Sequence, residues 1–304
     1  MKAVLFDRYG PPEVLRVSER PDPSPKKGEI RIAVQASSVT SGDARIRRAD
    51  PFMVRFFFGL FRPKKPVPGF EFAGVVDALG EGVTNYQPGD RVFGVSGLNF
   101  GALAEYLIMK EKSTFTRMPE GWSFEEAAAI PFGAGTAKYF LQDKGAIQSS
   151  DRVLIHGASG AVGVAAVQIA RIHGATVDGL CGPHHLEMIK GLGADKVIDY
   201  KSESPEAGTY DLVFDAAGKI KAAEAKPWLK PGGRFVSVQK GYAKDRAADY
   251  PVFVEWMRKG SLRPVIDEVY AMEDIAAAHR KVDSGHKTGA VVVKVISGSS
   301  EDGR

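Results

Sequence analysis

Three glycines, at positions 157, 160 and 163, carry the clearest chemistry in the chain. They lie in VLIHGASGAVGVAAVQIA, with Ala158 and Ser159 filling the turn between the first two. Each spacing suits a diphosphate. Gly157 permits a sharp exit from a strand, Gly160 lets backbone approach a pyrophosphate, and Gly163 lets the next helix pack close to its strand. The N–H groups of Ala161, Val162 and Gly163 then face the phosphates, with the positive end of the helix dipole behind them. Ser159 stands where a second glycine is usual, and its small hydroxyl can donate to a phosphate. A Gly-rich turn can also be plain structure, so the flanking elements have to decide.

Those elements favour the dinucleotide. Arg152 to His156 form an apolar run of strand length, and Val162, Ala166, Val167, Ile169, Ala170 and Ile172 recur at helical spacing. A second strand, Ala175 to Cys181, completes a βαβ unit. Helix 184–192, strands KVIDY and DLVFDAAG, helix 219–229, strand FVSVQ after Pro231-Gly232-Gly233, and helix 251–259 continue the alternation. The fold class is therefore α/β, with a parallel, doubly wound Rossmann sheet of five strands. Ligands collect at the C-terminal ends of such strands, which makes Ala217, Val238 and Gln239 expected neighbours of a cofactor.

The N-terminal part reads as a β domain. MKAVLF, EVLRVSERPDP, EIRIAVQASSV, GFEFAGVVDALG, PGDRVFGV and Ala104 to Met109 supply strands between Gly and Pro breaks. Ser123 with Glu126 opens a capped helix that ends before Pro131, and Thr136 to Gln142 is helical. The C-terminal part reads as a strand from Pro264 to Tyr270, a helix from Glu273 to Ser284, a strand over 290–295 and a polar, frayed tail, ISGSSEDGR.

With 304 residues, 44% of them apolar, the chain suits about two domains. Its single cysteine, Cys181, excludes an intrachain disulfide and a multi-cysteine metal site. The start, MKAVLFDRYG, meets charge at Asp7 and Arg8 and does not resemble a signal peptide, and no apolar run nears the roughly 20 residues of a membrane span. A cytoplasmic enzyme is the expectation. The net charge of +4 is concentrated in residues 43–65, where seven Arg and Lys face Asp43 and Asp50. There the cations alternate with Phe52, Met53, Phe56, Phe57, Phe58, Leu60 and Phe61. Three readings stay open: a hydrophobic lid over an aromatic acceptor, a core helix with a solvated basic rim, or a surface at 45–65 that touches an anionic membrane. No nucleic-acid motif is present.

An NAD enzyme usually ends its second Rossmann strand in Asp or Glu, which binds the ribose 2′-OH. Here the tip is Cys181 followed by Gly182, and Asp178 reaches that place only if the register shifts. His184, His185 and Lys190 follow the tip and can approach a 2′-phosphate. NADPH is favoured over NADH.

Taken together, MKAVLFDRYGPPEVLRV, GFEFAGVVDALGEGV, PGDRVFG, SFEEAAAIPFGAGTA, VLIHGASGAVGVAAVQIA, LGADKVIDY and LKPGGRFVSV resemble the medium-chain dehydrogenase/reductase superfamily, in its zinc-free quinone oxidoreductase-like branch. The resemblance runs through nearly the whole chain. It implies a GroES-like catalytic domain from 1–118 and 262–304, a Rossmann domain from 119–261, and an active site in the cleft. Where zinc alcohol dehydrogenases of the superfamily place Cys, His and Cys, this sequence has Thr40, Phe70 and about Phe132, none of which binds zinc. Glu71 survives from the zinc-side motif, with a structural role to backbone or an arginine. The histidines, His156, His173, His279 and His286 among them, read as structural rather than as ligands.

The resemblance further implies that Tyr200 lies on the adenosine phosphate side and that Thr136 packs on the nicotinamide ring. It makes Thr40, Asp43 and Arg45 the candidate catalytic groups, in a motif where relatives carry Asn and Asp; Thr40 is the candidate donor to a substrate oxygen or ribose hydroxyl. Relatives pair as homodimers across an added edge strand. The linker KGYAKDRAADY is short and charged and points to the loss of that strand here, so both a homodimer and a monomer stay open. The implied activity is hydride transfer from NADPH to a quinone or an α,β-unsaturated carbonyl, whose reduced anion is delocalised and needs no Lewis acid. An NADPH-binding sensor or scaffold with little turnover, and an alcohol dehydrogenase-like enzyme, are the alternatives.

Overall fold

A computed structural model describes residues 1–296; the tail beginning at Ser297, and with it the expected fraying, lies outside the described residues. The chain opens with β1 (Lys2–Leu5) paired antiparallel to β2 (Arg16–Glu19). The second strand starts later than EVLRV suggests, because Pro12–Val14 form a 3-10 turn with proline at its start. In β3 (Glu29–Val39) the alternation of EIRIAVQ puts Ile30, Ile32, Val34 and Ala36 on one fully buried face. Then come α1 (Ser41–Arg48), α2 (Val54–Phe58), β4 (Glu71–Leu79), β5 (Arg91–Val95), β6 (Tyr106–Lys110) and β7 (Phe115–Arg117). In α3 (Phe124–Ala128) the predicted capping box is present: the Ser123 hydroxyl accepts from the Glu126 N–H at 3.1 Å, and the Glu126 carboxylate accepts from the Ser123 N–H at 2.9 Å.

Next, α4 (Pro131–Lys138) runs on as a π-helical turn through Lys144 into β8 (Arg152–His156). There follow α5 (Ala161–Ile172), β9 (Thr176–Cys181), α6 (Leu186–Gly191), β10 (Lys196–Asp199), β11 (Tyr210–Asp215), α7 (Ala222–Ala225), β12 (Leu229–Ser237) and α8 (Asp249–Arg258). The strands form one parallel sheet in the order β10-β9-β8-β11-β12, the doubly wound arrangement. The helix expected over 219–229 is a correction. Only the single turn of α7 and a 3-10 turn at Lys226–Trp228 form there, because Pro227 lacks an N–H and Asp215 draws off the N–H groups of Lys219 and Ile220. Nor does Pro231-Gly232-Gly233 precede a strand; it bulges within β12, where the register against β11 shifts. Among the described residues no strand lies between Ser237 and α8, so β12 ends the sheet.

The chain closes with β13 (Ile266–Ala271), α9 (Ile275–Asp283) and β14 (Ala290–Lys294). These return to the first sheet, whose order is β13-β14-β3-β4-β5-β7 with β6 on β3. Two compact units result: residues 1–131 with 266 onward, and residues 132–265. Ile30, Val34, Phe72, Ile275 and Val291 belong to the core of the first; Leu154, Leu180, Ile198 and Val213 to that of the second. Among the described residues no helix is long and apolar enough to cross a membrane.

Candidate functional site

The turn between β8 and α5 distinguishes its three glycines. Gly157 has φ +77°, and a Cβ there would stand 2.6 Å from the Ala217 Cβ. At Gly163 a Cβ would stand 2.1 Å from the Gly157 carbonyl oxygen and 2.7 Å from Ala158. Both positions are closed to any side chain by the protein itself. Gly160 differs: its φ is −78°, and the nearest atom to a Cβ would be the Gly157 oxygen at 3.6 Å, an ordinary contact. The fold tolerates a side chain at 160, so close approach by something outside the chain is what glycine there permits. Gly160 is also the N-cap of α5 and gives it no side-chain cap, which leaves the first N–H groups of the helix open. Ser159, Gly160 and Ala161 are partly exposed on this side, while Val162 and Gly163 are buried.

Around that turn the second unit gathers other residues read from the sequence. Gly157 N–H and Ala158 N–H donate to the Leu180 carbonyl at 3.0 and 3.1 Å, tying the turn to the end of β9. Ala217 is exposed beside Gly157, and Gly218 abuts Val238 and Gln239, whose side-chain amide donates to the Gly218 carbonyl. Thr136, partly exposed, is on α4, and α4 lies close on the start of α5: a Cβ at Gly133 would stand 2.6 Å from the Ala161 carbonyl oxygen.

One group was not singled out in the sequence. His156, Asp215 and Ser237 are the last residues of β8, β11 and β12. The Asp215 carboxylate, with no exposed surface, pairs with His156 Nδ1 at 2.8 Å and accepts from the Ser237 hydroxyl at 2.8 Å. It also takes the Lys219 N–H at 3.2 Å and the Ile220 N–H at 3.3 Å. Burial pushes its pKa up, but these bonds outweigh burial and hold it below the usual carboxylate range. The network pins three strand ends and shapes the loop that presents Ala217. Its only sequence signal is a polar residue closing each of three apolar runs.

At the tip of β9 two polar side chains are turned inward. The Cys181 side chain is 1% exposed, and burial, with Asp199 nearby, pushes its thiol up to about 11. Only its backbone is left to line a ligand site. Asp178 is fully buried, bonded to Arg152 at 2.9 Å and to the Tyr210 hydroxyl at 2.8 Å, and paired in register with Leu154. That register removes it from any ribose. Beyond the tip, Tyr200 is exposed, its N–H donates to the Cys181 carbonyl at 3.1 Å, and its ring faces Gly182. His184 and Lys190 are exposed and His185 partly so, the two histidines in the 3-10 turn that Pro183 begins.

In the first unit, Thr40 and Asp43 are buried against each other. Thr40 caps α1, its hydroxyl accepting from the Asp43 N–H at 3.1 Å and donating to the Asp43 carboxylate at 2.6 Å. Asp43 takes the Thr40 N–H as well, at 2.9 Å. Burial raises its pKa to about 6 against the pull of these bonds. The Thr40 hydroxyl is thus engaged within its own turn as donor and acceptor. Arg45, two residues on, is exposed. Glu71 is buried and takes the Ser38 hydroxyl, and its charge acts on Lys287. Burial lowers Lys287 to about 8, against Glu71 and Asp267. His279 is fully buried and accepts from Arg47 at 3.2 Å.

Zinc does not fit the donor set. Thr40, Phe70 and Phe132 offer no thiolate or imidazole, and among the described residues no three His, Cys, Asp or Glu side chains group as metal ligands.

Residues 26–120 match the alcohol dehydrogenase GroES-like domain, and residues 161–278 the zinc-binding dehydrogenase domain. The chloroplastic quinone-oxidoreductase QR1 of Triphysaria versicolor is 34% identical over 97% of this chain and 98% of its own length. The quinone oxidoreductase of Sus scrofa is 32% identical over 95% of each. The quinone oxidoreductase structure from Coxiella burnetii, 26% identical, superposes with a TM-score of 0.82 over 97% of this chain and 99% of that one. A GroES-like β unit and a Rossmann unit, together with these likenesses, make the chain an oxidoreductase that belongs to the quinone oxidoreductase-like branch of the medium-chain dehydrogenase/reductase superfamily.

Proposed function

We propose that the chain reduces quinones or α,β-unsaturated carbonyls by hydride transfer from NADPH, without zinc. The observation that carries this reading is Gly160, a glycine the fold does not require, at the uncapped start of α5. NADPH is favoured because β9 itself ends in Cys181 rather than in a carboxylate, and the Asp199 carboxylate beside it accepts from the Lys201 N–H and the Ser202 hydroxyl, while His184, Lys190 and Tyr200 are exposed just beyond the tip. Ala217, Val238 and Gln239 flank the nucleotide on this reading, and Thr136 packs on the nicotinamide ring. The cofactor supplies the hydride; the chain's own residues hold and orient it. Of the three candidate groups in the first unit, Arg45 is exposed and available to an acceptor oxygen, whereas Thr40 and Asp43 hold their turn. The names of the curated relatives support a quinone-like acceptor.

The test is nicotinamide absorbance with NADPH or NADH and a panel of quinones and enones. Consumption of NADPH with a higher kcat/KM than NADH, undiminished by a metal chelator, is the expected result. Tight NADPH binding with no acceptor turned over would overturn it in favour of a sensor. A rate abolished by the chelator would point instead to a metal-dependent alcohol dehydrogenase.

A further inference from the structure

Among the described residues, six of the ten large apolar side chains that stand exposed lie within ten residues of one another: Phe52, Met53, Phe56, Phe57, Leu60 and Phe61. Phe57 is 74% exposed and Phe61 87%. The core-helix reading of this segment is overturned, since no residue of α2 is buried. Nor is it a loose loop. The Tyr9 hydroxyl donates to the Gly59 carbonyl at 2.7 Å, the Arg55 guanidinium lies over the Tyr9 ring at 4.8 Å, and Phe58 packs on Phe100 at 5.4 Å. The segment is fastened from below while its other aromatic side chains project outward.

Two further features say what could cover it. The segment bonds its own backbone: Val54 N–H to Pro51, Phe56 N–H to Met53, Gly59 N–H to Arg55 and Lys64 N–H to Phe58, at 2.8 to 3.1 Å. It can therefore enter a medium without water and leave few backbone groups unpaired. Its rim is positive, with Arg45, Arg62 and Lys64 exposed and Asp50 the acid among them. A second copy of the chain would bring the same cations against these and be repelled. The apolar groups stand exposed side by side on one short segment, and an interface crowded with lipid chains receives such groups without a matching surface.

We propose that residues 50–65 form a docking surface for an anionic lipid bilayer, the phenylalanines entering the acyl boundary and the cations meeting acidic headgroups. It stands on exposure and charge in the first unit, independently of the cofactor reading. The test is co-sedimentation of the full chain with vesicles of phosphatidylcholine alone or mixed with phosphatidylserine. The expected result is pelleting with the acidic vesicles only, falling as salt rises. Phe57→Ser with Phe61→Ser should weaken it by about tenfold or more, and Arg62→Gln or Lys64→Gln by about fivefold each. All variants should keep the wild-type melting temperature, since these side chains are exposed. Absence of pelleting with both vesicle types, pelleting unchanged in the double serine variant, or light scattering that shows a dimer dissociated by that variant, would each overturn the proposal.

Discussion

The chain passes twice from a strand directly into a helix at a candidate site, and the two turns close differently. After β3, Thr40 and Asp43 satisfy the start of α1 with their own side chains. After β8, Gly160 begins α5 with no side-chain cap at all. A helix start leaves several N–H groups without partners, and these are met either from within the chain or from outside it. At α1 side chains meet the Thr40 and Asp43 N–H groups from within, which leaves less there for an anion. At α5 they stay available. A threonine and an aspartate, residue types that sound chemical, bond each other within their own turn, whereas the bare glycine leaves its helix start uncapped.

The largest effect that separates structural from ligand-facing glycine is at Gly163. Gly163→Ala forces a methyl against the Gly157 carbonyl oxygen and should destabilise the second unit by about 3 kcal/mol or more, read as a loss of urea midpoint. Gly160→Asp, three residues earlier, should leave stability within about 1 kcal/mol of wild type, because aspartate is a good N-cap. It should weaken NADPH binding about a hundredfold, since it closes the helix start and sets a carboxylate where phosphate belongs. A Gly160→Asp chain that binds nucleotide normally would erase the contrast between the two turns.

How far these turns were legible follows from the same contrast. A continuous apolar run of strand length, a glycine spacing and a period-3.6 helix are local patterns, so β8, the turn and α5 could be read from the sequence, as could the Ser123 cap. The Thr40 and Asp43 spacing is also a capping box, but the family motif drew attention to catalysis instead. What had little local signal was the His156–Asp215–Ser237 network, because its members come from strands about 20 and 60 residues apart and meet only when the sheet forms. The helix over 219–229 failed for a related reason: the Asp215 carboxylate competes for backbone N–H groups that a helix would need.

Acid should expose a second difference, within the first unit. His279, held neutral by burial and by the nearby Arg47, has its pKa lowered to about 3, so it resists protonation that the unfolded chain accepts below about 6.5. Its contribution is present above that pH and is lost as pH falls. Asp43, raised to about 6, works in the opposite sense: its contribution is present at low pH and is lost as pH rises through about 6. Between pH 7 and 4.5 the two largely offset. Asp43→Asn removes the second and should make the acid loss of stability steeper by about 2 kcal/mol, measured as urea midpoints across that range. An unchanged slope would mean that Asp43 is not held near the pKa its burial gives.

The smallest effect bears most directly on the first turn. Thr40→Ala removes the cap of α1 and one donor to Asp43, and should lower stability by about 1 kcal/mol. If capping is the whole of its role, kcat with a soluble quinone changes less than about twofold, and Thr40→Ser restores stability because its hydroxyl reproduces both bonds. If Thr40 also touches the acceptor, kcat falls by about tenfold or more while the KM for NADPH stays put, which is the signature of an interaction made in the transition state. The hydroxyl has one proton, and in the structure Asp43 receives it. Catalysis by Thr40 would therefore require that bond to break on acceptor binding, and the Asp43 carboxylate, left short of a donor in a buried place, would titrate still higher. A pH profile of kcat that moves upward with acceptor bound would reveal this; a profile that does not move leaves Thr40 to the turn.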